Sequence, residues 1–377
     1  MKVLIAPDSF KGSLTAYDVA KAIAQGIKKY KQEIEVKLLP LADGGEGTVQ
    51  SLVDATDGQI IKKEVTGPLG NKVKAFYGIL GDQKTAVIEM ASASGLPLIP
   101  EEKQDPSKTT TYGTGELIAG ALSQGVEEII IGIGGSATTD AGVGMAQALG
   151  VSFLDRKGNE IGYGGRNLNK IVDIDMSGLN PNVKDVIIRV ACDVDNPLFG
   201  KSGAAYVYSP QKGADHKMVE QLDKNLRHFN KVVKSKLNKD VSEIPGAGAA
   251  GGLGAGLMAF LDAKLERGID IILDTVNFEK QLENVDLIIT GEGKLDGQSI
   301  YGKTPIGVSK RSKKHNKQVI AIVGSLGQGV EKVLDNGIDA YFSIIDKPDS
   351  LENIQKRSKK LLEDTAYQVI RTYLLNK

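Results

Sequence analysis

The chain has 377 residues, enough for roughly two to three domains, and its 47 Lys+Arg are balanced by 47 Asp+Glu. Zero net charge leaves no global field to attract nucleic acid or an anionic membrane, and aromatics at 5% with no Trp offer little for base stacking. The single cysteine, Cys192, excludes an intramolecular disulfide framework and a multi-cysteine zinc site.

The opening MKVLIAPDS has too short an apolar stretch for a signal h-region, and no run approaches the ~18–20 apolar residues that span a bilayer. A soluble, cytoplasmic protein is expected. Residues 3–6 read as a buried strand, and Val19, Ala20, Ile23, Ala24 and Ile27 give the next helix one apolar face. Ile34, Val36 and Leu38 alternate as a second strand, followed by a helix near 48–55. Between 59 and 92, strand-like stretches are punctuated by Gly67-Pro68, Gly70-Asn71 and Gly81-Asp82, which predicts hairpins.

Residues 129–133 and 186–191 are further buried strands, and Cys192 after the second reads as an inert thiol. Met218, Leu222, Leu226, Phe229, Val233 and Leu237 mark one long amphipathic helix. Strands at 286–290, 319–323 and 340–345 then alternate with helices, the last carrying Leu361, Leu362, Ala366, Val369, Ile370 and Leu374. The pattern predicts an α/β fold: a doubly wound parallel-sheet domain from 1–62 plus 283–377, with a mixed α/β domain inserted at 63–282.

The glycines gather around carboxylates and hydroxyls, in PDSFKGS, ADGGEGT, GIGGSATTDAGVG, GAGAAGGLGAG and TGEGKLDGQS. Bare N–H groups in such turns form anion sites, and neighbouring carboxylates hold a hard cation or accept a proton. An enzyme that handles a phosphate and a metal is expected. Residues 297–304 spell G-x-x-x-x-G-K-T, a formal P-loop match. A P-loop leaves its strand directly, whereas residues 291–296 intervene here. Thr304-Pro305 reads instead as an N-cap and first helical residue, and Lys303 can still reach a phosphate without that fold.

Gly132, Gly134 and Ala137 give G-x-G-x-x-A, with Asp155 about 20 residues on, as in a dinucleotide fingerprint. However, Asp155-Arg-Lys-Gly-Asn reads as a hairpin turn where a crossover helix is required. The same loop suits a terminal phosphate or carboxylate, through Gly134, Gly135, Ser136, Thr138 and Thr139. It also suits a plain capped helix with Thr139 as N-cap.

Asp8 and Asp43 each follow a strand at the sheet's carboxyl edge, where open α/β folds bind ligands. Asp193 and Asp195, two apart after a buried strand, point the same way if extended and suit Mg²⁺ or a split metal and base role. An Asx-Pro turn at Asn196-Pro197 explains them equally. Glu292 and Asp296 form a similar pair, and the glycines at 246–256 lead into a helix start through Gly251 and Gly252. Three histidines in polar helical stretches give no support to a Ser-His-Asp triad.

Taken in order, APDSFKGSLTA, PLADGGEGTV, TGPLGNKVKAFYGIL, AVIEMASASGLPLI, TYGTGELI, IIIGIGGSATTDAG, ACDVDNPL, GAGAAGGLGAGL, LIITGEGKLDGQS and GKTPIGV resemble the bacterial type I glycerate kinase family nearly end to end. The resemblance implies a flavodoxin-like α/β domain holding both termini, a distinct inserted α/β domain, and a site between them. It implies ATP- and Mg²⁺-dependent phosphorylation of glycerate, in this branch at the 2-hydroxyl, in a family without a Walker A loop.

The matching positions are expected to line the site, with roles inferred from chemistry. Asp193 or Asp43 would take the hydroxyl proton, and Lys11 would neutralise the carboxylate or the moving phosphoryl group. Asp8, Ser9 and Glu46 would join Lys11 around the substrate. Gly134, Gly135, Ser136, Thr138, Thr139, Gly251, Gly252 and Lys303 would face phosphate, and Asp195, Glu292 and Asp296 would hold Mg²⁺. ATP and glycerate are the expected partners, without nucleic acid or membrane, and homo-oligomerisation is left open. The competing reading, from Gly132, Ala137 and Asp155, is an NAD(P)-dependent dehydrogenase of a small hydroxy acid.

Overall fold

Strands covered on both faces lose their polar alternation and read as continuous apolar runs, as both chain ends do. In the computed structural model, which describes residues 1–375, these runs form an all-parallel five-stranded sheet. Its order is Glu35–Leu38, Lys2–Ile5, Leu287–Thr290, Gln318–Val323, Ala340–Ser343. Counted along the chain this is the flavodoxin-like order 2-1-3-4-5. Val3, Ile5, Leu287, Ile289 and Ile322 share a core with helices Ala16–Tyr30 and Leu351–Tyr373. Leu4, Ile288, Val319 and Ala321 on the opposite face are equally buried.

Thr15 and Ser350 cap these two helices, accepting from the N–H groups of Asp18 and Asn353. The pair packs closely enough that a Cβ on Gly26 would sit 2.2 Å from the carbonyl oxygen of Glu363. The strand order reverses between Lys2–Ile5 and Leu287–Thr290. The crevice outside the carboxyl ends of the strands at such a reversal is where open α/β sheets take ligands.

The other sheet has six strands, in the order Lys264–Glu266, Ile187–Ala191, Glu128–Gly132, Thr85–Glu89, Lys72–Ile79, Gln59–Thr66. The first four are parallel, and the last two are antiparallel and form the expected hairpin around 67–71. Glu89, Gly132 and Ala191 stand in register, so the segments leaving those three strands start from one edge.

The chain divides into two compact units, one of Met1–Asp43, Gln50–Asp57 and the chain from Gly268 on, the other of Gly44–Val49 and Gly58–Arg267. The boundaries expected after 62 and 282 fall inside the strand Gln59–Thr66 and just beyond the helix Phe278–Gln281. Among the described residues no helix is long and apolar enough to cross a membrane.

Candidate active site

In the flavodoxin-like unit, the loops leaving the two strands at the order reversal are tied together: the Asp8 N–H donates to the Gly291 carbonyl at 2.8 Å. The Asp8 carboxylate accepts from Thr304 Oγ1 at 2.6 Å and from the Ser9 N–H at 2.6 Å. Thr304 is the first residue of the helix Thr304–Lys314, and Lys303 occupies the N-cap position. The N-cap expectation for Thr304 is therefore corrected: its hydroxyl serves Asp8, and Pro305 sits one position further in.

Glu292 is buried, with Oε1 accepting from Ser299 Oγ at 2.8 Å and Oε2 lying 3.5 Å from Lys303 Nζ. Burial, and then the charge of Asp43, push Asp8 up to about 7. Burial likewise pushes Glu292 to about 7, against the pull of Lys303 and Ser299.

Asp296 accepts from the Gln298 N–H at 3.0 Å and faces Lys294 Nζ at 3.1 Å. Lys11 is exposed, and its backbone nitrogen lies 3.5 Å from where a Cβ on Gly293 would be, so the 8–11 and 291–293 loops run side by side. A short ribbon, Lys294–Leu295 paired with Ser325–Leu326, and a turn at Ser299–Tyr301 separate strand from helix. The 297–304 match is therefore no P-loop.

In the other unit, the strand Glu128–Gly132 delivers Gly134 and Gly135 to the surface, Gly135 with φ +74°. The following residues through Asp140 are buried. Lys212 is 2% exposed and donates from Nζ to Ser136 Oγ at 2.7 Å and to the Thr138 carbonyl at 2.6 Å. Burial lowers its ammonium to about 7. Thr139 shares a hydroxyl bond with Ser209 at 3.0 Å, and the buried Thr138 Oγ1 has no hydrogen-bond partner.

Asp140 accepts from the Thr111 N–H and hydroxyl, both at 2.8 Å, and from the Gly142 and Gly144 N–H groups. Asp140, not Thr139, thus satisfies the start of the helix Val143–Ala148, because the Thr139 hydroxyl is turned to Ser209.

The helix Ala249–Leu261 opens with three left-handed residues, Ala250, Gly251 and Gly252. A Cβ on Gly251 would lie 1.9 Å from the Thr138 carbonyl oxygen, and one on Gly252 2.9 Å from Ala141 Cα. Backbone at 138–141 therefore packs directly against those two glycines. Gly44 and Gly45 border the strand end, since a Cβ on Gly132 would lie 2.5 Å from the Gly44 carbonyl oxygen. Glu46 is exposed, and Glu89 behind it accepts from the Val49 N–H at 2.8 Å, which caps the helix Thr48–Thr56. Burial first, and Glu46 in a lesser way, raise Glu89.

Asp193 and Asp195 are both exposed beyond the strand Ile187–Ala191, where Asn196 anchors the segment by donating to the Ser202 carbonyl at 2.7 Å. Cys192 Sγ donates to the Val194 carbonyl, and burial pushes its thiol up, consistent with inertness.

Sequence reasoning missed Lys212 and Glu89. A lysine in SPQKGA looks like any solvated turn lysine, and a strand-ending glutamate looks like an edge charge; only tertiary burial distinguishes them. The structure does bring Asp8, Asp43, Glu292 and Lys303 into one electrostatic group, and Ser136 with Thr138 into another.

Among the described residues no group of three or more His, Cys, Asp or Glu is placed to hold a metal ion. Of the expected metal ligands, Glu292 and Asp296 each face a lysine. Two cavities, of about 440 and 640 Å³, are lined by none of the expected site residues.

The family model for the glycerate kinase family matches residues 3–374. The chain belongs to the glycerate kinase family. It is 55% identical over 345 residues to the glycerate 2-kinase of Escherichia coli K12, covering 92% of this chain and 91% of that one. The glycerate kinase of Halalkalibacterium halodurans is 53% identical over 367 residues, 97% of each chain. A crystal structure of a glycerate kinase 2 candidate from Salmonella typhimurium LT2 superposes with a TM-score of 0.92 at 50% identity, over 99% of this chain and 98% of that one.

Membership makes the chain a kinase and removes the dehydrogenase alternative. The residue that the alternative needed is a turn former: the Asp155 carboxylate accepts from the Lys157 and Asn159 N–H groups in the hairpin the sequence suggested.

Proposed function

We propose that this glycerate kinase transfers the γ-phosphoryl group of ATP to the 2-hydroxyl of D-glycerate, giving 2-phosphoglycerate, in a soluble cytoplasmic setting. The observation that carries the site assignment is the Asp8–Asp43–Glu292–Lys303 group at the strand-order reversal of a flavodoxin-like sheet. Similarity to the E. coli glycerate 2-kinase supports the 2-position.

In phosphoryl transfer the protein contributes mainly position and charge. Asp43 or Asp193 accepts the hydroxyl proton. Asp43 is favoured because its charge already acts on Asp8, which is poised near neutrality and can hydrogen-bond a substrate oxygen. Ser9 and Lys11 extend this surface, Lys11 with a positive charge for the carboxylate. Lys303, held by Glu292, meets phosphate. In the other unit Gly134, Gly135 and Ser136 bind phosphate oxygens, while Thr138, Thr139, Gly251 and Gly252 hold that loop in shape. Glu46, on the loop whose Gly45 lies beside Gly134, is a further substrate contact.

Mg²⁺ keeps several waters and takes one or two carboxylates besides phosphate oxygens, so a three-carboxylate cage is not required. Asp195, Glu292 and Asp296 would hold such an ion, directly or through water. When bound it supplies charge neutralisation at the phosphates.

The test is phosphorus NMR of the product from ATP, Mg²⁺ and D-glycerate. A 2-phosphoglycerate signal is expected, and 3-phosphoglycerate alone would overturn the regiochemistry. Near-normal turnover by both Asp43→Asn and Asp193→Asn would remove the base assignment.

A further inference from the structure

Lys212 is held on the turn Pro210–Lys212, which Gly213 closes with φ +96°. From this turn three bonds reach the 136–139 loop: Lys212 Nζ to Ser136 Oγ, Lys212 Nζ to the Thr138 carbonyl, and the Ser209–Thr139 hydroxyl pair. An ammonium withdrawn from water needs a counter-charge. Among the described residues Lys212 makes no ion pair within 4 Å. The buried carboxylate whose charge acts on it, Asp140, is already engaged by four donors.

The buried Lys212 amine, with the Asp140 charge acting on it, thus underlies a loop whose next residues outward, Gly134 and Gly135, are exposed. The bond geometry adds a direction. A serine hydroxyl has one proton to give. Because Ser136 Oγ accepts from the ammonium, its own proton is left for an acceptor outside the pair.

We propose that Lys212 is a positioning residue of the phosphoryl transfer: by donating to Ser136 Oγ and to the Thr138 carbonyl it turns the Ser136 hydroxyl outward as a donor to a nucleotide phosphate. This rests on the reading of the 134–138 loop as a phosphate site, and the two stand or fall by different results.

The experiment compares the wild type with Ser136→Ala, Lys212→Met and the double variant, measuring KM for ATP, KM for glycerate and kcat. Loss of one charge-assisted bond predicts a rise of roughly ten- to hundredfold in KM for ATP for each single variant. KM for glycerate should stay within about twofold. If Lys212 acts through Ser136, the double variant is little worse than the poorer single, because the two deletions remove one unit.

Removing a merely structural lysine would lower kcat and raise both KM values together, or its effect would multiply with that of Ser136→Ala, and either result overturns the proposal. Unchanged KM for ATP in Ser136→Ala overturns the phosphate-loop reading instead. Should Lys212→Met fail to fold, Lys212→Gln keeps an amide donor, and its KM for ATP decides in the same way: a selective rise supports the role, and no change refutes it.

Discussion

The Thr304 hydroxyl donates to Asp8 Oδ2 at 2.6 Å, although 296 residues separate the two in sequence. One bond thus joins the loop after the first strand to the helix that follows the third strand of the same sheet. Its donor is the threonine of the accidental G-x-x-x-x-G-K-T match.

Replacing Thr304 with Val keeps the shape and removes the donor. A bond to a carboxylate is worth about 1.5–3 kcal/mol, so activity should fall by roughly tenfold or more. Because Thr304 lowers the Asp8 pKa, the variant's rate profile should also shift to higher pH. Steady-state kinetics across pH 5–9 would check both effects, and an unshifted profile would argue that Asp8 is not among the titrating groups.

Stability should fall as pH rises from about 4 to 7. Unfolded, Asp8 and Glu292 titrate near 3.8 and 4.5; folded, both titrate near 7. Across that window the native state holds protons that the unfolded chain has lost, so the slope is negative. Asp8→Asn removes one of the two titrations, and its thermal midpoint should gain more over the wild type at pH 8 than at pH 5. A gain independent of pH would mean that Asp8 is not raised.

Lys303→Met should raise Glu292 further, because the lysine is the larger of the influences that hold it down. The expected outcome is lower kcat at neutral pH, with partial recovery at alkaline pH. A uniform loss at every pH would assign Lys303 to phosphate contact alone.

Gly251→Ala should cost at least ~2 kcal/mol, since a β-carbon there meets the Thr138 carbonyl oxygen at 1.9 Å and φ is +70°. Chemical denaturation would show a lower midpoint. The displaced carbonyl is the one that Lys212 holds, so a weaker KM for ATP should accompany it.

Removal of divalent metal with EDTA should abolish turnover and leave the unfolding midpoint unchanged. No group of three or more metal-ligating side chains is assembled among the described residues, so a metal bound with the nucleotide contributes nothing to the empty fold.

The fold was legible because doubly covered strands announce themselves as apolar runs, and residues 3–6, 286–290 and 319–323 did so. The strand-end positions of Asp8 and Glu292 were legible too, because each follows such a run by two or three residues, and that of Asp43 because it follows the alternating strand Glu35–Leu38. What stayed hidden was decided by partners remote in sequence. Thr304 looked like a cap until Asp8 claimed its hydroxyl, and Thr139 looked like one until Ser209 did. The close packing of Gly251 and Gly252 against the 138–141 backbone was hidden too, because glycine allows close approach by any group. Lys212 carries no local signal, because nothing in its neighbours' sequence forecasts that it is buried.

The shared register of Glu89, Gly132 and Ala191 works as a ruler for the inserted unit. Each residue added to a strand advances everything beyond it by about 3.3 Å and turns its side chains to the other face. An insertion in the turn at 156–158, by contrast, leaves those three strand ends in register. A single deletion within Glu128–Gly132 would shift the 134–136 N–H groups against Glu89 and Asp193 together. The spacing of this chemistry is stored in hydrogen-bond rows some distance from any reacting atom.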